Sequence, residues 1–213
     1  MRTEELIAAL ASDARAVDPA RADRRFFAWL AGGSALALLA MLLLMGPRAD
    51  LAAAVSLPMF WVKLAFPASL MIAAALVLRR LGYPGMRLRR MPFALAVPVL
   101  VVWGLASLAL FSAPAGTRVP MVMGSTWAVC LVSVALLSLP AGILAFMAAR
   151  TLAPTRLTLA GAAAGLFAGS AGAWAYALHC PELQAPFLAV WYLIAMLVPA
   201  AAGALLGRAV LHW

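Results

Sequence analysis

From Phe26 to Met45 the chain runs for 20 residues without a charged side chain. As a helix, a run of about that length crosses the roughly 30 Å hydrocarbon core of a bilayer. Five more apolar runs follow, at about Met59–Leu78, Met91–Phe111, Ser125–Ala149, Leu157–Leu178 and Pro186–Gly207. Continuous apolar runs of this kind satisfy their backbone groups in lipid only as helices. The expected fold class is therefore all-α, a polytopic membrane protein built as a bundle of six transmembrane helices. Composition agrees, with 67% hydrophobic and 11% charged residues, against roughly 45–50% and about 25% in soluble domains. Residues 1–25 form a separate polar amino-terminal segment, and residues 26–213 the membrane domain.

Six spans put both termini on one side, and the basic residues choose which. The amino-terminal segment, the 79–90 loop, Arg150, Arg156 and Arg208 carry 13 of the 16 lysines and arginines. Only Arg48, Lys63 and Arg118 fall on the other side. Positive loops stay in the cytoplasm, so both termini are expected to be cytoplasmic. The net charge of +9 then reflects membrane topology, and no direct nucleic-acid partner is expected. Lys63, beside Trp61 near a span end, is expected to snorkel to the headgroup level. Trp61, Trp127, Trp174 and Trp191 read as an interfacial belt on the outer side. Gly161, Gly165 and Gly169, then Gly203 and Gly207, recur at the four-residue spacing that lets helix backbones approach closely. Pro67, Pro98, Pro140 and Pro199 interrupt four of the runs, and each can kink its helix.

Chemistry-bearing side chains are few. No nucleophile–base pair and no cofactor box is evident, so no catalytic residue is expected and the chain is not read as an enzyme. Two cysteines without a CxxC spacing argue against a zinc finger or a thioredoxin-like motif. Cys130 lies five residues into the fourth span, and Cys180 follows the fifth within His179-Cys180-Pro181-Glu182. The topology places both thiols on the outer side at comparable depth. Thiols with an imidazole suit a soft or borderline metal ion, with Cys130, Cys180 and His179 as ligands. Two such thiols can also form a disulfide in an oxidising compartment, and two unconnected buried cysteines behave as small hydrophobes. Cys180, next to Pro181 in a loop, is expected to be the more exposed and to react first. Cys130, among apolar neighbours, is expected to react slowly.

At the amino end, Thr3, Glu4 and Glu5 read as a helix start, with carboxylates near the positive end of the dipole. Leu6, Ile7 and Leu10 then fall on one helical face. So short a helix is marginal alone. It is either a surface segment or a docking helix that folds on a soluble partner.

Several segments resemble the negative-regulator-of-sigma-F (NrsF-type) family of bacterial inner-membrane anti-sigma factors. They include Thr3-Glu4-Glu5-Leu6-Ile7, Trp61-Val62-Lys63-Leu64-Ala65-Phe66-Pro67, Gly124-Ser125-Thr126-Trp127-Ala128-Val129-Cys130 and Tyr176-Ala177-Leu178-His179-Cys180-Pro181-Glu182. The resemblance runs in order along essentially the whole chain. It implies a multi-pass protein of the bacterial inner membrane whose cytoplasmic face sequesters an extracytoplasmic-function sigma factor. Glu4, Glu5, Leu6, Ile7 and Leu10 are then the expected partner-binding residues, with the basic 79–90 loop as a second candidate. It also implies that Cys130 and Cys180, flanked by His179 and Glu182, take part in the signal response, with no resident cofactor beyond a soft metal ion at the cysteine pair. A different functional class, a small multi-pass transporter or permease subunit, is the alternative that composition alone leaves open.

Overall fold

The computed structural model describes residues 3–12, 19–83, 85–86 and 91–212. Within these residues the chain is helical throughout its elements. They are α1 (Thr3–Ser12), α2 (Pro19–Leu44), α3 (Leu51–Ala54), α4 (Pro58–Leu81), α5 (Met91–Ser112), α6 (Ala115–Met123), α7 (Trp127–Arg150), α8 (Leu157–Ala177) and α9 (Ala185–Phe187). A π-helical turn, Leu188–Tyr192, joins α9 to α10 (Leu193–Val210). Six helical segments are long and apolar enough to cross a membrane, as the charge-free runs predict. The helices continue through Pro67, Pro98, Pro140 and Pro199.

α8 is the hub, the most buried of the six, and it packs on α10, α7, α4 and α2. Its composition explains the position. A Cβ at Gly161 would meet the Gly203 carbonyl and one at Gly165 the Pro199 carbonyl, while Gly203 and Gly207 reciprocate from α10 against Gly161 and Leu157. A Cβ at Gly172 would likewise lie 2.8 Å from the Val134 carbonyl oxygen of α7. Small residues on both faces let the backbones approach closely, and van der Waals packing of this kind holds the pair together. Exposed Phe93, Leu100 and Phe111 on α5, and Leu43 and Leu44 on α2, leave large apolar side chains on the outside of the bundle.

The two ends differ. At one end, Arg79 of α4 makes a two-pronged ion pair with Asp23 of α2, and Tyr83 donates to the same carboxylate at 2.9 Å. Arg150 closes α7 onto α10 by donating to the Val210 carbonyl at 2.9 Å. Ala153 donates its N–H to the Gly82 carbonyl, tying two connections together. The opposite end carries the thiols.

Three local expectations change. α2 begins at Pro19, several residues before the apolar run, because Arg21, Asp23, Arg24 and Arg25 are tolerated on a helix whose charged turns lie beyond the apolar run. Arg79 and Arg80 form the last turn of α4 rather than the start of a loop. The polar stretch 112–124 contains α6, a helix that runs through Pro120. Arg87, Arg89 and Arg90 of the basic loop lie outside the described residues.

Candidate functional site

The site is built on the turn that leaves α8. His179 and Cys180 both donate their N–H groups to the Tyr176 carbonyl, at 2.9 and 3.0 Å, which folds Leu178–Cys180 back against the helix end. Three segments then grip the turn. Arg48, after α2, donates its N–H to the Leu178 carbonyl at 3.1 Å, and its Nη1 lies 3.4 Å from the Cys180 carbonyl. His179 Nδ1 faces the Gly46 carbonyl at 2.8 Å. Glu182 Oε1 accepts both the N–H and the hydroxyl of Ser125, each at 2.8 Å.

The third grip comes from below. Lys63 of α4 is fully buried, and its Nζ donates to the Cys180 carbonyl at 2.5 Å and the Glu182 carbonyl at 2.8 Å. The Tyr192 ring lies 5.7 Å from the same ammonium, within the range of a cation–π contact. The carbonyls and the ring solvate the charge in place of water. Lys63 therefore does not snorkel; it turns inward, where the Cys180–Glu182 backbone offers its close acceptors among the described residues.

Cys130 sits one turn into α7, with its N–H on the Thr126 carbonyl, and is within electrostatic reach of both Cys180 and Lys63. Both thiols are free and fully buried. This corrects the expectation that Cys180 is the exposed one. The turn folds its side chain inward, and Pro181 takes the outer position. The Tyr176 and Tyr192 hydroxyls lie near the Cys180 thiol, yet Tyr192 Oη makes no contact short enough for a hydrogen bond. Among the described residues no three His, Cys, Asp or Glu side chains converge as a metal ion requires. The expected set of Cys130, Cys180 and His179 is thus not assembled, because His179 Nδ1 is turned to Gly46.

One side of the site is aromatic. Trp127 and Trp191 stack with centroids 4.8 Å apart, and Trp191 donates to the Val122 carbonyl at 2.9 Å. Trp103 donates to the Ala189 carbonyl inside the π turn at 3.1 Å. Gly124 permits the close approach: its φ is +59°, and a Cβ there would lie 2.6 Å from the Phe187 ring and 3.0 Å from the Glu182 carboxyl carbon. On the outer rim Arg48 makes a two-pronged pair with Asp50 at 2.6 and 2.7 Å. The guanidinium holds the Asp50 carboxyl below its ordinary value of 3.8, and Asp50 raises Arg48 in turn. This pairing is fully present above about pH 4 and is lost as pH falls through the lowered value.

The family profile described as "Negative regulator of sigma F" matches residues 10–213. The chain belongs to this family. It is 44% identical over 213 residues to the "Probable anti-sigma-F factor NrsF" of Azospira oryzae, covering all of both chains. It is 39% identical over 217 residues to the "Anti-sigma-F factor NrsF" of Caulobacter vibrioides, again over the full length of both. No solved structure matches the chain. Both NrsF relatives are named as regulators. In this NrsF-family chain the site holds three groups to which the sequence assigns no role, namely Arg48, Ser125 and Tyr192, and a fourth, Lys63, which the sequence reads as snorkelling, with a buried functional role as the alternative. Lys63 had a visible signal, as the single charge in an otherwise uncharged span interior. The partner-binding candidates stand apart at the amino end, where Glu4, Glu5 and Ile7 of α1 are exposed. The side chains of Leu6 and Leu10 lie outside the described residues.

Proposed function

We propose that this chain is a membrane-embedded anti-sigma factor. In this reading both termini face the cytoplasm of a bacterial inner membrane, and the 1–25 segment holds an extracytoplasmic-function sigma factor through Glu4, Glu5, Leu6, Ile7 and Leu10. Sigma factors carry basic DNA-binding surfaces, which the two glutamates complement. Release follows when a thiophilic species engages Cys130 and Cys180 at the outer end, replacing the two S–H protons with bonds to sulfur. Two thiols suffice for such a species, so His179 need not be a ligand.

The observation that carries this reading is Lys63, which binds the thiol-bearing turn by its backbone rather than by its sulfurs. Drawing Cys180 toward Cys130 must move the carbonyls that hold the ammonium, and Lys63 passes that movement to α4. The far end of α4 carries Arg79, paired with Asp23 in the first turns of α2, within the 1–25 segment itself. The stimulus acts only if it binds two packings with different affinity; a tenfold change in partner affinity needs about 1.4 kcal/mol of coupling.

The test is retention of the sigma factor by isolated membranes. Leu6→Asp with Leu10→Asp should release it while the protein stays in the membrane. Cys130→Ser with Cys180→Ser should retain it and no longer release it on addition of a soft metal ion. Unchanged retention in the first variant, or normal release in the second, rules the scheme out.

A further inference from the structure

At the arginine end a cavity of about 510 Å³ lies between α2 and α7, lined by Arg21, Arg25, Trp29, Met147 and Arg150 among others. Among the described residues neither it nor its neighbour is lined by an Asp or Glu, and no carboxylate pairs with these three arginines. The Nε of Arg150 is held by the Val210 carbonyl, which fixes the guanidinium and leaves its two Nη groups without a partner among the described residues.

Met147 and Arg150 also line a second cavity, of about 520 Å³, a nearly apolar groove walled by α7 and α10 and floored by Gly165 and Ala168 of α8. Along α7 the groove runs from Ala135 to Arg150, about 22 Å at 1.5 Å per residue. One leaflet including its headgroup layer is about 20–22 Å thick, half of the 40–45 Å bilayer. The groove thus has the length of one lipid and a cluster of guanidinium groups at its mouth.

We propose that these joined cavities bind one anionic phospholipid, its phosphate held by Arg21, Arg25 and Arg150 and one acyl chain lying in the α7–α10 groove. The proposal rests on the reading that the helices cross a membrane with the arginine end inward, where anionic headgroups attract clustered arginines. A peptide fits less well. Its backbone needs polar partners along the groove, and the one hydroxyl there, on Ser138, already donates to the Ala135 carbonyl at 2.7 Å.

The test uses the full chain in an uncharged detergent, with native mass spectrometry to count bound lipid. Phosphatidylglycerol should bind more tightly than phosphatidylcholine of the same chains. Each substitution among Arg21→Gln, Arg25→Gln and Arg150→Gln should cost about fivefold in that preference. Arg118→Gln, at the opposite end, should leave it unchanged. Gly142→Leu, whose added Cβ meets only Ala168 at 3.5 Å, should fill the groove and weaken both lipids alike. If the Arg21 or Arg25 variant fails to fold, Arg150→Gln alone decides.

An unaltered preference in Arg150→Gln overturns the proposal. So does inorganic phosphate displacing the lipid as well as phosphatidylglycerol itself does, which would make the arginines a free-anion site. Loss of sigma-factor retention with lipid preference intact would make the pocket a protein contact instead. Alkaline extraction of membranes separates the two readings. A chain stripped from the membrane refutes the topology, whereas an inserted chain without lipid preference refutes this site alone and leaves sigma-factor retention untouched.

Discussion

Lys63 makes no salt bridge among the described residues, so its charge is balanced only by the backbone carbonyls and aromatic ring around it. A buried ammonium in this setting binds the Cys180–Glu182 turn to α4. Replacing it by methionine removes the charge and keeps the volume, but takes the Lys63 donor from the Glu182 carbonyl, at about 1–3 kcal/mol, and leaves the Cys180 carbonyl with the longer 3.4 Å contact from Arg48 Nη1. Lys63→Met should therefore free the turn, and a membrane-impermeant maleimide added outside should label Cys180 far faster than in the wild type. Equal labelling would show that the turn is held by Arg48, His179 and Glu182 without help. The sequence reveals Lys63 as an anomaly and misplaces it. A lysine near the end of an apolar run ordinarily reaches for water, and the acceptors that turn it inward lie 117 and 119 positions away. Cys180 was misplaced for the same reason. Pro181 signals a loop, and nothing local shows that the loop is folded under Arg48 and over Lys63.

The α8–α10 pair is joined by glycines, and each backbone fills the space that the other leaves. A leucine at Gly161 must push α10 away from the Gly203 carbonyl, and strain of this kind in a packed interior costs typically 1–3 kcal/mol or more. Gly161→Leu should lower the thermal midpoint of the detergent-solubilised protein. Gly104→Leu, with nothing within 4 Å of its Cβ, should leave it unchanged. Equal effects would mean that the close approach does not hold the bundle together. This feature was legible, because glycines at i, i+4 and i+8 announce a close helix face before any partner is known. The π turn was not. Its residues, Leu188–Tyr192, are apolar and aromatic like those of any span, and the residue before it, the residue after it and Tyr192 itself have ordinary helical dihedrals. The same holds for α6, where Gly116, Thr117 and Pro120 suggest a loop and the helix nevertheless runs through Pro120.

Across the molecule, the number of spans and the separation of arginines from thiols follow from runs without charge, the most robust sequence signal that lipid imposes. The six-span reading predicts that a reporter active only in the cytoplasm gives signal when fused after Trp213, and that one active only outside works when placed in α6. The reverse result at either position would turn the molecule over and put the thiols on the cytoplasmic side. What the runs could not show is how the two ends are tied, because Arg79–Asp23, Arg150–Val210 and Glu182–Ser125 each join residues from different spans.

The distance in sequence between Lys63 and the carbonyls that hold it also sets a timetable for synthesis. Cys180 is translated 117 residues after Lys63, about 6–23 s later at 5–20 residues per second. Throughout that interval α4 exists with its ammonium and without its acceptors. In the six-span reading, the nascent α4 keeps that end in contact with water or with the insertion machinery until α8 and the turn after it have emerged. Assembly of this half of the bundle therefore waits for the last part of the chain. A ribosome-bound chain stalled before α8 should leave Lys63 open to a water-soluble amine reagent, and one stalled beyond α10 should protect it.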